Sequence, residues 1–410
     1  MYTNDIIHII EMGGVTKHIF NADIKDIVAM WDDEIKSIQP LLPREYTEKD
    51  IISQLKKYYP YEWKSVEYKY SYYQSKDKFL QRRFGKCRYC MPNPETLIKS
   101  VKSYIKLLSR NIRQQHRQTY SDRNCQISSE ELWNRRKSHI ERIDKKIELA
   151  LSKTQRMEPE FIDQLMGLYK RKNTTMKDRA YILLELQKYY NPKIIRFFFK
   201  LNDTEINLQL RNEAFCHLQG FNFHPRLRKQ QFMQVHTKNR KRKQYLKKEY
   251  AYEKYEIPKC PDELEYRINN SQEQKLKTYD YFISHSSIDS KAVQKLIFEE
   301  NDQGKNVFCD WINDVDYLKR HLLCEATLNV LKKRMEQSKA LIFVKSENSL
   351  ISDWCSYELN YFHQFNRPMF FITKEDIINK NFELQTLDSK EFLDKDYEKK
   401  VLIAGSNIHI

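Results

Sequence analysis

The first 278 residues carry apolar side chains three and four positions apart among many charged ones, a pattern that predicts amphipathic helices. The segments "TEKD" at 47–50 and "NPE" at 93–95 supply a cap residue, early acids or a proline where a helix begins. Within the second of these predicted helices, the spacing of Val101, Ile105 and Leu108 predicts a buried stripe. We therefore expect four or more helices before residue 160.

Residues 176–220 contain an internal echo, since Ala180 and Leu184 recur 34 residues later as Ala214 and Leu218. With a proline and an Asp-containing turn between the halves, the segment resembles a HEAT-type helical repeat, whose paired helices bury a face by stacking on neighbours. An unrelated pair of helices in a bundle is an equally good interpretation.

After Lys277 the pattern changes to short apolar runs separated by polar segments long enough for helices. The runs are "YDYFIS" at 279–284, "NVFCDW" at 306–311, "ALIFVK" at 340–345, "PMFFIT" at 368–373 and "VLIA" at 401–404. Compact apolar runs that alternate with crossover segments are typical of a parallel sheet covered on both faces. The sequence predicts a five-stranded, doubly wound α/β domain that binds ligands at the carboxyl ends of its strands.

Composition supports more than one folded unit. The chain has 410 residues, of which 40% are hydrophobic, 13% aromatic and only seven glycine, so at least two packed and mainly helical units are expected. The sequence has no apolar run of membrane-spanning length and no signal-peptide pattern, and its eight scattered cysteines suit reduced thiols. These features predict a cytoplasmic protein without a membrane partner.

The net charge of +16 is uneven, because residues 279–410 carry −4 and residues 1–278 carry +20. Residues 224–249 hold ten Lys or Arg against one Glu. Such a block marks an exposed linker or an interaction surface, and nucleic acid is one candidate partner beside the simpler interpretation of a solvated hinge. We therefore divide the chain into a basic helical sensor or assembly region at 1–223, a basic linker or connecting helices at 224–278, and an α/β domain at 279–410.

The α/β segment resembles a TIR (Toll/interleukin-1 receptor) domain, which has a flavodoxin-like fold. "YDYFISHSSIDSKAVQKL" is similar to its first strand and helix, "GKNVFCDW" to its second strand, and "SKALIFVKSENSLISDWCSYELNYF" to its third strand and the helix that follows. The most specific part is "SDWCSYEL" at 352–359, where Ser-x-Trp-Cys-x-x-Glu-Leu follows an apolar strand and a serine-rich turn. The resemblance covers residues 279–410 and none of the residues before them.

This resemblance implies a function. Some TIR domains only assemble signalling complexes, whereas others cleave NAD, and in the cleaving branch a Glu on the helix after the third strand is catalytic, which is Glu358 here. It implies an NAD glycohydrolase of bacterial antiviral defence that acts as a homo-oligomer through its TIR domains, with NAD as substrate and no cofactor. An unidentified partner or ligand of the basic region would activate it. The alternatives are a cyclase that makes an ADP-ribose isomer, a non-catalytic adaptor, and a nucleic-acid-binding protein that its TIR domain oligomerises.

The chemistry of NAD cleavage is compatible with a single carboxylate. Breaking the nicotinamide–ribose bond passes through an oxocarbenium-like centre, and the departing pyridine needs no proton. One acid that holds the ribose hydroxyls and stabilises the developing positive charge therefore suffices. The alternative for Glu358 is a solvent-facing helical acid, as most Glu residues on helices are. Its helix is predicted to bury the neighbouring stripe of Cys355, Leu359 and Phe362.

Other residues complete the predicted site. Trp354 and Tyr361 lie one turn before and one turn after Glu358 and would flank it with aromatic rings. Further substrate contacts are predicted at the ends of the first two strands, from Phe282, Ile283, Ser284, His285, Ser286 and Asp310. Asp289 is expected to cap the first helix of the domain. The loop "WINDVDY" at 311–317 is where the resemblance places contact between TIR domains.

No metal site is predicted. Cys87 and Cys90 have the spacing of half a zinc site, but His116 and Cys125 do not form a second close pair. Cys355 is not expected to be a nucleophile, because it lies on the apolar stripe of its helix.

Overall fold

The computed structural model describes residues 15–318 and 324–388, which fall into two compact units. Of the described residues, the first unit comprises those up to Lys146 together with Asn222–Arg226, and the second comprises Ile147–Phe221 with those from Leu227 onward. This division differs from the compositional boundaries at 223 and 278, because the helices between 147 and 221 belong with the sheet. Among the described helices, none has the length and apolar character needed to cross a membrane.

From residue 15 to residue 152 the chain is mostly helical, as predicted. Its helices are α1 (Val15–Ile38), α2 (Glu48–Tyr58), α3 (Pro60–Phe84), α4 (Pro94–Ile98), α5 (Lys102–Leu108), α6 (Arg110–Thr119) and α7 (Asp122–Ser152). Thr47 and Asp50 form a capping box at the start of α2, and Asn93 caps α4, which confirms both predicted helix starts. The core of the first unit mixes aliphatic and aromatic side chains, and within it the rings of Trp31 and Trp63 lie 5.6 Å apart.

One packing prediction in this unit is wrong. The helix expected to continue from residue 94 is interrupted at Val101 and Ser109, which both have extended backbone. Because α5 begins only after Val101, its buried positions are Tyr104 and Leu107, whereas Ile105 is 46% exposed. Which face of α5 is buried depends on the residue at which the helix begins. The spacing of Val101, Ile105 and Leu108 did not reveal that residue.

The helical part of the second unit precedes the sheet. Its helices are α8 (Ile162–Lys170), α9 (Met176–Leu186), α10 (Pro192–Thr204), α11 (Leu208–Gly220), α12 (Arg240–Lys248), α13 (Pro261–Asn270) and α14 (Gln272–Lys275). Residues 176–220 therefore form three helices, α9 to α11, and the echoed residues Ala180, Ala214 and Leu218 are buried. Of the basic stretch at 224–249, the run at 240–243 forms the first turn of the exposed helix α12.

The rest of the second unit is an α/β fold. In chain order it contains β1 (Tyr279–Ser284), α15 (Ser290–Asp302), β2 (Val307–Phe308), α16 (Asp310–Asn313), α17 (Glu325–Glu336), β3 (Ser338–Lys345), α18 (Glu347–Leu350), α19 (Asp353–His363), β4 (Met369–Thr373), α20 (Lys374–Ile378) and β5 (Gln385–Thr386). The strand order is β2-β1-β3-β4-β5. The predicted helical front part and α/β part are thereby confirmed.

Two details of the predicted sheet need correction. The second apolar run contributes only Val307 and Phe308 as a strand, because the chain turns into α16 at Asp310. The fifth described strand is β5, which pairs antiparallel with β4, so the described sheet is parallel only in its first four strands. The connection 374–384 is shorter than the dozen or more residues that a parallel crossover takes. The predicted strand at 401–404 lies outside the described residues.

The sheet is covered on both faces, as the continuous apolar runs predicted. Phe282, Leu341 and Phe343 pack with α17 and α19 on one face. Ile283 and Ile342 pack with α15 and α20 on the other. Neighbouring residues of one strand thus enter different cores, as the alternation of side chains in a strand requires.

A buried network of charges ties the loop after β2 to helix α9. Asp314 accepts hydrogen bonds from the Arg334 guanidinium at 2.7 and 3.2 Å, and Glu185 accepts from Lys277 at 2.7 Å and from Lys188 at 2.9 Å. Burial alone would raise the pKa of Glu185, but Lys188 and Lys277 lower it to about 2. All five groups are buried, so the loop is held by ion pairs that water does not screen.

Candidate active site

The candidate site lies at the carboxyl ends of the strands, beside the point between β1 and β3 where the strand order reverses. Because β1 sits between β2 and β3, the chain leaves β1 and β3 toward opposite faces of the sheet. Open α/β sheets bind ligands at such a position. Helix α19, which carries Glu358, follows β3 and its short helix α18. The three chain segments that carry most of the predicted site residues therefore meet at one edge.

Helix α19 is placed by its cap and its apolar stripe. The Ser352 hydroxyl accepts a hydrogen bond from the Cys355 backbone N–H at 3.3 Å, which fixes the first turn. Cys355, Leu359 and Phe362 are 1%, 3% and 0% exposed, so the predicted buried stripe is confirmed. With that stripe in the core, Glu358 is directed toward the end of β1.

Glu358 is bonded to the last residue of β1. The Ser284 hydroxyl donates to Glu358 Oε2 at 2.6 Å. Burial of the carboxyl group, with a smaller contribution from the Asp310 carboxylate, raises the pKa of Glu358 to about 8, while the bond from Ser284 acts in the lowering direction. The burial and the raised pKa of this carboxyl group at the end of β1 do not fit the alternative interpretation of Glu358 as a solvent-facing helical acid.

His285 organises the turn after β2. Its Nδ1 lies 3.1 Å from the carbonyl oxygen of Ile283 and must donate to it, and its Nε2 accepts from the Trp311 indole N–H at 3.1 Å. These two bonds define a neutral imidazole with its proton on Nδ1. Its Nε2 also lies 3.8 Å from Asp310, so His285 holds Trp311 and Asp310 beside the end of β1. Trp311 was predicted only as the first residue of the loop 311–317, where the resemblance implies contact between TIR domains and gating of the pocket, and its bond to His285 was not foreseen.

Three side chains beside the candidate site have the spacing of metal ligands, but the lone pairs that would bind a metal are not all free. Potential ligand atoms of His285, Cys309 and Asp310 lie within 4.8 Å of one another. The Nε2 lone pair is already used by Trp311, and burial raises the pKa of the Cys309 thiol well above its usual range.

In the first unit, Asp77 near Cys87 and Cys90 accepts from three backbone N–H groups, of Arg88, Tyr89 and Cys90. These donor sets hold their turns together through hydrogen bonds.

The remaining predicted site residues occupy three kinds of position. Phe282 and Ile283 are 1% and 2% exposed, so their side chains belong to the two cores and only their backbone reaches the site. Ser286 and Trp354 are half-buried. Tyr361 donates to Glu336 of α17 at 3.3 Å and stacks on Tyr357, so its hydroxyl group is engaged with α17.

The expected helix cap at Asp289 is wrong. Its carboxylate makes no side-chain cap bond to α15. It instead accepts from Ser346 at 2.5 Å, from Asn348 at 3.2 Å and from Lys374 at 2.8 Å. Asp289 thus joins the segments that follow β1, β3 and β4, a contact between distant parts of the chain that local sequence does not reveal.

The electrostatics of the site predict opposite pH shifts for two substitutions. If the Glu358 carboxylate is the working form, kcat/KM for NAD rises with pH through about 8. Asp310→Asn removes a negative neighbour that raises the pKa, so the rising limb moves to lower pH. Ser284→Ala removes the donor that stabilises the carboxylate, so the limb moves to higher pH. Initial rates between pH 5.5 and 9.5 measure both, and shifts in the same direction would contradict this assignment.

Comparisons with known proteins bear on the whole chain. It is 33% identical over 365 residues, 89% of this chain and 93% of the relative, to the protein named "Putative cyclic ADP-D-ribose synthase TIR2" of Cytobacillus dafuensis. Over 88 residues, 22% of this chain and 45% of the relative, it is 40% identical to "Probable 3′ cyclic ADP-D-ribose synthase ThsB′" of Bacillus cereus. Over 85 residues, 21% of this chain and 10% of the relative, it is 33% identical to Toll-like receptor 2 of Bison bison. No protein-family model and no solved structure matches.

Proposed function

Because this chain belongs to the TIR-domain family, we propose that it cleaves the bond between nicotinamide and ribose in NAD, with Glu358 as its catalytic residue. The single observation that carries the assignment of the residue is the bond from Ser284 at the end of β1 to Glu358. The raised pKa of that carboxyl group agrees with it. The likeness to a cyclic ADP-D-ribose synthase extends over nearly the whole chain and supports the reaction class.

The carboxyl group changes its state as substrate arrives. In the free chain at neutral pH most Glu358 groups carry a proton, because their pKa is about 8. The nicotinamide ring of NAD is cationic, and a cation beside a buried carboxyl favours its ionised form. The ionised Glu358 then accepts hydrogen bonds from ribose hydroxyls and stabilises the positive charge that grows on the sugar as the ring departs. The proton passes to solvent before the bond breaks.

The surrounding residues are proposed to position the substrate. Ser284 holds one oxygen of Glu358, which leaves the other oxygen for ribose. Asp310, half-exposed beside His285, is placed for a further sugar hydroxyl, and the backbone of Phe282 and Ile283 lines the end of β1. Trp354 and Ser286 are both half-buried and are proposed as further substrate contacts. Tyr361 contributes by packing, since its hydroxyl is bonded to Glu336.

The fate of the ADP-ribosyl group distinguishes two candidate activities. Attack by water gives ADP-ribose, whereas attack by a nucleophilic atom of the same molecule gives a cyclic isomer. The names of two relatives favour the cyclic product. Incubation of the full chain with NAD, followed by chromatography of nicotinamide, ADP-ribose and cyclic isomers, decides between them. If no nicotinamide is released under any condition, including high protein concentration, the chain is an adaptor instead.

We further propose that the active state is a homo-oligomer formed through the TIR domain, with the basic region receiving an activating partner or ligand in the cytoplasm during antiviral defence. The specific activity is then expected to rise with protein concentration, because each added copy completes more sites. Turnover of NAD at 0.1 to 10 µM protein measures this, and an added chelator tests whether a metal ion is needed. A specific activity independent of concentration would contradict assembly-dependent catalysis.

A further inference from the structure

One surface of the second unit, here called the basic surface, gathers exposed cations from two segments of the chain. The segments are the end of α8 with the residues after it and the stretch that contains α12. The ten cations are Lys170, Arg171, Lys172, Lys238, Arg240, Lys241, Arg242, Lys243, Lys247 and Lys248. The Arg242 guanidinium donates to the carbonyl oxygen of Lys172 at 3.4 Å, so the first turn of α12 lies against the other segment. The fold thus joins two positive stretches that are 70 positions apart in the sequence.

The chain's own carboxylates leave this surface positive. Among the described residues, none of the ten cations forms an ion pair with Asp or Glu, whereas Lys177 and Lys193 of the same unit pair with Glu263 and Glu158. The stretch 238–248 holds seven Lys or Arg and neither Asp nor Glu. A block of like charge repels itself, so an anion from another molecule would stabilise it.

The first turn of α12 carries cations where a helix disfavours them. The run at 240–243 occupies that turn, and no acidic residue accompanies it. The N–H groups that start a helix create a positive potential, which favours carboxylates and opposes Lys and Arg. The Asn239 side chain accepts from the Arg242 backbone N–H at 3.0 Å and satisfies one such group. Helix stability therefore does not account for this run, whereas a bound phosphate would meet both the cations and the helix end.

Helix α12 offers charge on several sides and no broad apolar face. None of its nine residues is buried. Since successive residues point about 100° apart around a helix, the cations at 240, 241 and 242 face three directions. A helix that lies on a membrane buries a broad apolar face in the lipid, but apart from Tyr245 and Leu246 every residue of α12 is charged or polar. The basic surface therefore suits phosphates on more than one side of the helix.

We propose that the basic surface binds double-stranded DNA through its phosphates, with α12 in the major groove. An α-helix about 10–12 Å wide matches the width of this groove, about 12 Å, and the strands that border the groove place phosphates on both sides of the helix. The major groove of duplex RNA is too narrow for a helix. The segment 170–172 contacts the strand beside the first turn of α12. The proposal goes beyond the cleavage of NAD and does not depend on it.

Fluorescence anisotropy of the full chain with a labelled DNA duplex of about 20 base pairs tests the proposal. The test variant carries Arg240→Gln, Lys241→Gln, Lys243→Gln and Lys247→Gln and keeps Arg242. Gln supports a helix as well as Lys or Arg does, so the Tm is not expected to fall. We expect DNA binding to be about tenfold weaker or more at about 0.1 M salt, and the slope of log K against log salt to be smaller by about three.

A second variant and a matched control assign the binding to this surface. Lys170→Gln with Lys172→Gln is expected to lower the same slope by about two. The control changes to Gln four exposed lysines on and near α15, which are Lys153, Lys291, Lys295 and Lys305. It loses as much charge as the test variant, yet its binding is expected to stay within about threefold of the unchanged chain, because these lysines lie outside the basic surface.

Other polyanions supply the remaining comparison. An RNA duplex and vesicles with about 30% phosphatidylserine are expected to bind more weakly than DNA at equal phosphate concentration. The proposal is overturned if DNA shows no saturable binding, if the control weakens binding as much as the test variant does, or if either other polyanion binds as tightly as DNA. These measurements omit NAD, so their outcome is separate from that of the proposed reaction at Glu358.

Discussion

Glu358→Gln is expected to lower the rate of nicotinamide release from NAD by about 1,000-fold or more. The amide has nearly the same shape and still accepts from Ser284, but it cannot carry the negative charge that the sugar cation needs. Asp353→Asn is the matched control, because it removes a carboxylate from the exposed first turn of the same helix and is expected to leave the rate unchanged. Equal rates for the unchanged chain and Glu358→Gln would remove Glu358 from the mechanism.

The same variant also carries a stability prediction with a definite sign. The pKa of Glu358 is about 8 in the folded chain against an ordinary 4.5, so between these values the folded state holds a proton that the unfolded state releases. Stability is therefore lost as pH rises from 4.5 to 8, and Gln has no such loss. The Tm of Glu358→Gln is expected to exceed that of the unchanged chain at pH 8 and to match it near pH 4.5. A difference independent of pH would contradict the raised pKa.

Asp314→Asn is expected to destabilise the second unit by about 3–5 kcal/mol. Asp314 is one of only two carboxylates facing three cations in the buried network, and its loss leaves Arg334, Lys188 and Lys277 opposite Glu185 alone. Arg334→Met is expected to cost less, because two carboxylates and two ammonium groups then remain in balance. Urea unfolding followed by circular dichroism measures both.

Asp316→Asn is the matched control for this prediction. Asp316 lies two residues further along the same loop, where its side chain is 35% exposed and pairs with Lys259. A surface pair of this kind is worth at most about 1 kcal/mol, so little change is expected. If Asp314→Asn and Asp316→Asn destabilise equally, the buried network does not hold the loop.

The sequence carried enough information for the outline of the sheet and for the catalytic candidate. The runs at 279–284 and 340–345 became central strands because continuous apolar residues can be buried on both faces. The stripe of Cys355, Leu359 and Phe362 became the buried side of α19 because its helical spacing is local. The choice of Glu358 as the catalytic candidate came from the resemblance of residues 352–359 to the TIR motif.

Features that depend on contacts between distant segments were not predictable in this way. The bond from Trp311 to His285 joins residues 26 positions apart, and the Asp289 junction joins residues 57 to 59 positions apart in its hydrogen bonds. The antiparallel direction of β5 depends on the length of a connection whose end the pattern did not mark. The roles of Trp354, Ser286 and Asp310 toward substrate stay predictions.

The ion pairs that cross between α9 and the sheet have a practical consequence for anyone who wishes to isolate the catalytic part. A fragment that begins at β1 would lack Glu185, Lys188 and Lys277. Asp314 and Arg334, which are buried in the full chain, would then be exposed to solvent. Such a piece invites aggregation, and a weak turnover from it would say little about the enzyme. Cloning from Ile147 keeps every member of the network in one polypeptide.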